Sequence, residues 1–368
     1  MKAGMKAATP AVGSLASPHA HGGNTVARTM FRVQMALLPA TAYGFWLFGW
    51  QAFFLWLLTI LSCLGWEALA LKLMDRRPIK RSLGDGSALL TGWLLAMTLP
   101  PWAPWWVAVV GGFIAIVVGK QVFGGVGQNV FNPAMVARVA LLVSFPLPLT
   151  QWVTPLPLTP LAAPGFVDSL HVFLTSLPPP DAMASASLLG FSKTELGRGI
   201  DLLHSLSGAS APLLSWLGTR AGSLGESASL LILAGGLYLL RSGVISWHTP
   251  LAVLLGLALP AAIGHAVDPG RYLSVSAHLL SGAAMLGAFF IATDYVTSPN
   301  TGAGQIVFGT GVGLLTWVIR TYGGYPEGMA FAVLLMNALT PVIDRFIKPR
   351  ILGRDRKGKP LSIPESAA

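Results

Sequence analysis

The chain has 368 residues, 53% of them hydrophobic and only 10% charged, with a mean hydropathy of +0.65. A water-soluble domain carries about 25% charged residues, so the composition excludes one and points to a protein embedded in a bilayer. The net charge of +10 raises nucleic acid as a partner, but the positive residues are spread over segments flanking apolar runs, which argues against it.

The first 30 residues lack the apolar core of a signal peptide, and "SPHAHGGNT" (17–25) reads as a polar lead-in. Apolar runs of membrane-spanning length then recur at 31–49, 51–71, 86–101, 103–120, 130–147, 224–241, 247–264, 273–292, 305–321 and 326–346; about 20 residues cross a 30 Å hydrocarbon core. The expected fold is an all-α polytopic membrane protein of about ten transmembrane helices. Its parts are a tail at 1–30, a first five-helix half at 31–147, a loop at 148–222, a second half at 223–346 and a basic tail at 347–368. On this ten-span topology eighteen Lys and Arg fall on the side of the termini and five on the other. The positive-inside rule puts both termini in the cytoplasm and the 148–222 loop outside. The lone Cys63 cannot hold an iron–sulfur cluster or a Cys-rich zinc site, so a redox cofactor has to be held another way and no metal is expected.

The two halves look alike. "GDGSALLTGWLLAMTLPPWAPW" in the third run is similar to "AHLLSGAAMLGAFFIATDYVTSP" in the eighth, and "VFGGVGQNVFNPAMVARVALL" to "TYGGYPEGMAFAVLLMNALTP". With five spans per half the repeats run in opposite directions, an arrangement whose broken helices meet at a central site.

Four carboxylates lie near membrane depth: Glu67, Asp85, Asp294 and Glu327. Such groups pair with a cation or line an ion path. Asp85 and Glu327 also stand where a negative charge suits a helix N-terminus, and Asp294 closes its run. Glu67 sits one turn before Lys72, which allows either an ion pair with it or a place on an ion path. The stretch "FGGVGQNVFNP" (123–133) combines Gly124, Gly125 and Gly127, which free the backbone for close approach of a ligand, with the polar Gln128, Asn129 and Asn132. It reads as a non-covalent ligand site or as a simple turn.

Taken in order, "RVQMALLPATAYGFWLFGW", "DGSALLTGWLLAMTLPPWAPWW", "GKQVFGGVGQNVFNPAMVARVALLVSFP" and "TDYVTSPNTGAGQIVFGTGVGLLTWVIRTYGGYPEGMAFAVLLMNALTPVIDR" resemble the RnfD family of the Rnf ion-translocating oxidoreductase complex. That family is shared with a membrane component of the sodium-pumping NADH:quinone reductase. The resemblance implies a membrane subunit, in the bacterial inner membrane, of a six-subunit complex coupling electron transfer between NADH and ferredoxin (or a similar carrier) to ion movement. It implies an FMN joined as a phosphoester to a loop threonine by a flavin transferase, and a second, non-covalent riboflavin or FMN for which 123–133 is the natural place. Its partners are the other subunits and membrane lipid.

The family's attachment pattern, Asp-x-x-Ser/Thr-Gly/Ser-Ala-Thr, falls on "DAMASAS", with Asp181 at the aspartate and Ser187 at the acceptor. Ser replaces Thr there, and Ala184 replaces a hydroxyl residue. "SLSGAS", ending at Ser210, fits less well because His204 stands at the aspartate position. The loop also reads as a Pro/Ser-rich linker without covalent flavin. From another class, an inverted repeat also suits a small-solute transporter or channel with no redox cofactor, which would purify colourless, or a scaffold that anchors redox partners.

Overall fold

The structure, a computed structural model, describes residues 25–75, 79–155, 157–158, 164–177, 184–206 and 221–349. It is a helical membrane protein. Each of the ten apolar runs contains helix. Four helices are long and apolar enough by themselves to cross a bilayer: α2 (Trp50–Leu73), α12 (His248–Val267), α15 (Gly302–Tyr322) and α16 (Met329–Phe346). The first half adds α1 (Val26–Phe48), short α3 (Ile79–Leu83), α4 (Ser87–Thr98), α5 (Trp105–Phe113) and α6 (Pro133–Ser144). The second half adds α11 (Ser229–Arg241), α13 (Val275–Leu280) and α14 (Ala284–Leu286).

Local chemistry sets the boundaries. Thr25 caps α1 by accepting from Arg28 N, and Asn132 caps α6 by accepting from Met135 N, with Pro133 at its first turn; both fit the preference for side-chain oxygens at helix starts. Two helices shift to π geometry, α5 continuing as Ile114–Gln121 and α14 as Gly287–Ile291. The eighth run, expected as one helix over 273–292, is broken. The chain stops being helical after Leu280, and Gly282 takes φ +63°, a left-handed backbone favouring glycine.

Small residues let the helices approach. A Cβ built on Gly256 of α12 would lie 2.6 Å from the Thr310 carbonyl oxygen of α15, and one on Gly309 2.8 Å from that of Thr249. Without a hydrophobic drive between helices in lipid, such close backbone packing is what holds them together.

The 148–222 segment is folded where it is described. It carries α7 (Pro146–Thr150), α8 (Phe166–Thr175), α9 (Leu188–Gly197), α10 (Leu202–Leu206) and a two-residue antiparallel pairing of β1 (Trp152–Val153) with β2 (Ala184–Ser185). It docks on one end of the bundle. Gln51 Nε2 at the start of α2 donates to Ser169 O at 2.7 Å, and the Trp50 and Phe166 rings meet edge-on at 5.1 Å. Lys193 Nζ donates to Ile319 O, Gly323 O and Tyr325 O where α15 ends, and Leu202 N donates to Gly270 O.

Candidate functional site

A cleft opens between the two halves at the bundle end opposite the docked segment. α15 spans the distance between them: its 21 residues rise about 30 Å. Leu90 and Leu94 of α4 and Phe289 and Phe290 of the second π segment give it apolar walls. Lys120, Asn129, Asn132, Thr91 and Asp294 supply polar groups. This lining suits a largely apolar molecule with one polar edge.

The 123–133 stretch contributes to this cleft in part. Gly124, Gly125 and Gly127 take φ of +120°, +101° and +86°, and Gln128 is exposed; these four build the turn and do not line the cleft. Asn129 and Asn132 do line it. Asn129 Nδ2 donates to Phe131 O at 3.1 Å, which holds the turn closed. Asn132 N donates to Asn337 Oδ1, and Asn337 Nδ2 donates to Thr297 O, so one asparagine of α16 ties together the broken segments of both halves.

Three of the four carboxylates gather at this end. Asp294 lines the cleft; its Oδ1 accepts from Val296 N and its Oδ2 from Thr297 Oγ1. Asp85 Oδ1 accepts from Ser87 N and Ser87 Oγ, the capping role expected at the start of α4. Glu67 does not pair with Lys72, which is exposed. Its partner is Lys120, whose Nζ lies 2.8 and 2.7 Å from the two carboxylate oxygens and 2.7 Å from Ser87 Oγ. The preference has a physical reason: at the exposed end of α2 Lys72 is hydrated, whereas Lys120, buried at the end of the π segment, has no water to turn to. Gln121 Nε2 also donates to Glu67 at 3.2 Å, while its Oε1 is buried with no hydrogen-bond partner among the described residues.

Glu327 belongs to a second cluster, at the end where 148–222 docks. The break in the eighth run frees backbone groups, and charged side chains take them up. Arg320 Nη1 donates to His278 O and Nη2 to Ser281 O at the carbonyl end of α13. Glu226 accepts from Gly282 N at 2.5 Å, and Glu327 accepts from Ala283 N at 3.2 Å, at the amide end of α14. Glu327 also accepts from Gly328 N and Met329 N opening α16, as expected, and pairs with Arg320 at 2.9 Å. Cation at carbonyl end and anion at amide end both match the helix dipole. Arg138, in α6, is buried within the electrostatic reach of Glu327 and Glu226, and its Nη1 has no hydrogen-bond partner among the described residues.

Ser187 is buried and caps α9, its Oγ accepting from Gly190 N at 3.2 Å. As placed, the hydroxyl faces a helix N-terminus, which favours a phosphate, but burial closes it to an incoming enzyme. Ala184 pairs through its backbone with Val153. Asp181 and Ser210 lie outside the described residues. On α9, burial lowers the Lys193 pKa below its usual value.

Lys120, Arg320, Glu226 and His278 are the functional candidates that sequence reasoning missed. Lys120 and Arg320 count as loop charges in the topology argument, yet both are buried ion-pair partners. The signal was present in register: each precedes a Gly-Gly pair by three or four residues, Gly124-Gly125 and Gly323-Gly324.

Residues 14–353 match the profile of the NQR2, RnfD, RnfE family. Curated RnfD proteins, named as parts of an ion-translocating oxidoreductase complex, are similar along nearly their whole length. The one from Stutzerimonas stutzeri is 52% identical over 92% of this chain and 95% of its own. The one from Halorhodospira halophila is 49% identical over 95% and 97%, and that from Cronobacter sakazakii 43% over 92% and 97%. On a match of this extent the chain belongs to the NQR2, RnfD, RnfE family.

Proposed function

We propose that the protein is the membrane subunit of an Rnf-type complex in the bacterial inner membrane, relaying electrons through flavin and coupling their passage to cation movement. The relatives' shared name supplies the complex. Coupling between NADH and ferredoxin rests on the family resemblance. Ten spans in two inverted halves, with both termini cytoplasmic, are supported by matched features. Gly86 before α4 and Gly282 before α14 are both left-handed breaks (φ +78° and +63°). Each break has a buried cation at it, Lys120 on Ser87 and Arg320 on Ser281, at opposite ends of the bundle as inversion requires. Removing these two buried cations from the loop count leaves the charge asymmetry in place.

The observation that carries the reading is Lys120. It lines the cleft and at the same time holds Glu67. A flavin in the cleft would supply the electron-carrying chemistry, with the Leu and Phe walls against its rings and Asn129, Asn132 and Lys120 at its polar edge. Added negative charge in the cleft attracts Lys120. Were its Nζ to move, Glu67, Ser87 Oγ and Gln121 Oε1, which has no partner among the described residues, would be left as an oxygen-lined place for a mobile cation. Electron and cation then stabilise each other through one side chain. Asp294 on the cleft wall and Asp85 beside Ser87 extend the acidic path at this end; Glu327 stands at the far end.

At the other face, FMN attached at Ser187 would sit within reach of an extracytoplasmic partner protein. The buried hydroxyl means that a flavin transferase acts before the first turn of α9 closes. The test is protein co-expressed with a flavin transferase and run on a denaturing gel under ultraviolet light, with acid-released flavin measured in parallel. Fluorescence is expected in the band and lost in Ser187→Ala, and released flavin is expected to fall in Asn129→Leu. Colourless protein beside a labelled control substrate refutes the flavin relay and favours a cofactor-free carrier.

A further inference from the structure

We propose that a second cavity, where α9 covers the ends of α13 and α15, is a binding site for a phosphate ester, occupied by the headgroup of an anionic phospholipid. Three cations line it, Lys193, Arg271 and Arg320, and no carboxylate among the described residues does. Their existing bonds show which remain open. Lys193 has its ammonium spent on three carbonyls. Arg320 is tied through its Nη atoms, but its Nε is buried without a hydrogen-bond partner among the described residues. His278, 3% exposed and also on the cavity wall, likewise has an unpartnered Nδ1. The exposed guanidinium of Arg271 lies 5.9 Å over the Tyr272 ring.

Two residues of the cavity lining thus carry a buried nitrogen without a partner among the described residues, which is costly unless a ligand satisfies it. Arginine favours phosphate oxygens for their matching geometry. Carboxylates stand nearby but behind the wall: Glu327 on the Nη2 side of Arg320, and Asp268 accepting from the Arg271 backbone. Lipid rather than free phosphate is indicated by the remaining lining. Leu189, Leu196 and Leu273 give an apolar flank. Tyr322, which pairs with Tyr272 through their hydroxyls, and the neighbouring Trp317 place aromatic rings beside it, as at a membrane–water interface. The proposal needs neither flavin nor the rest of the complex.

The test uses the full chain purified in detergent and stripped of lipid. Phosphatidylglycerol, phosphatidylcholine and inorganic phosphate are titrated separately and binding is read by native mass spectrometry and by thermal shift. Phosphatidylglycerol is expected to bind more tightly than phosphatidylcholine. Arg271→Gln should weaken it about five-fold, the effect of one interfacial cation, and Arg271→Lys should restore most of the loss. Arg198→Gln removes an exposed cation just past the end of α9 that does not line the cavity and should leave binding unchanged. Equal binding of both lipids, or equal losses in Arg271→Gln and Arg198→Gln, would overturn the site. Inorganic phosphate competing at the lipid's own concentration would overturn the lipid as occupant.

Discussion

Replacing Lys120 by Met is expected to destabilise the protein by about 3–5 kcal/mol, the usual loss when one partner of a buried ion pair is removed. The structure shows why. Lys120 and Glu67 have side chains 3% and 1% exposed, at an N–O distance of 2.7 Å. At an effective dielectric of 20 the attraction at that distance is about 6 kcal/mol, set against desolvation of several kcal/mol for each ion. The pair roughly balances; a lone Glu67 does not, being left with only the Gln121 bond. The double substitution Lys120→Met with Glu67→Leu should therefore recover most of the loss. Unfolding in mixed micelles by dodecyl sulfate, with all four members of the cycle, measures the coupling. A coupling energy below about 1 kcal/mol would refute the reasoning, because the pair would then be hydrated or separated in the folded protein.

Three further outcomes follow from contacts elsewhere. Asn337→Leu leaves the Asn132 amide without its acceptor and should lower stability by about 1–3 kcal/mol, seen in the same unfolding assay. Gly256→Val places a side chain against the Thr310 carbonyl and should cost about 1–3 kcal/mol by overpacking, with increased proteolysis where α12 meets α15. Glu327→Ala strands Arg320 and frees the Ala283, Gly328 and Met329 amides. Hydrogen exchange should accelerate at 282–285 and 328–331 while α2 stays protected.

What is legible in the sequence follows the range of the interactions. Each apolar run contains helix, and Asn132-Pro133 announces the start of α6 because a cap and its helix are neighbours in the chain. Glu327 and Asp85 likewise serve the helix starts beside them. The pairing of Glu67 is not legible, because its partner is 53 residues away, on another helix. No local pattern distinguishes that pairing from one with Lys72 a turn along the same helix. The broken eighth run is hidden for a related reason. "LLSGAAMLGAFF" is apolar but for Ser281, and the charged groups of Arg320, Glu226 and Glu327, arriving from other segments, make its interruption tolerable. Ser187 shows the opposite limit: its hydroxyl is legible as an acceptor by motif, but the same atom is also a helix cap, and the motif does not say which role the folded chain gives it.

The two charged clusters differ in a way that bears on their roles. Arg320 and Glu327 are bonded mainly to backbone groups of fixed helix ends, so neither can leave without exposing buried amides and carbonyls. Lys120 bonds only side chains: Glu67 and Ser87. Releasing it breaks no helix terminus, and its own backbone lies in a π segment, a helix geometry that recurs at functional sites. Of Lys120 and Arg320, the one facing the cleft is thus the one free to move. A coupling device needs an element with two available arrangements, and the Lys120 cluster has the bonding for it, whereas the Arg320 cluster has the bonding of a structural clamp. On the proposed coupling, then, the fraction of Lys120→Met protein that folds should uncouple cation movement from electron transfer, while in folded Arg320→Met protein both activities should fall together.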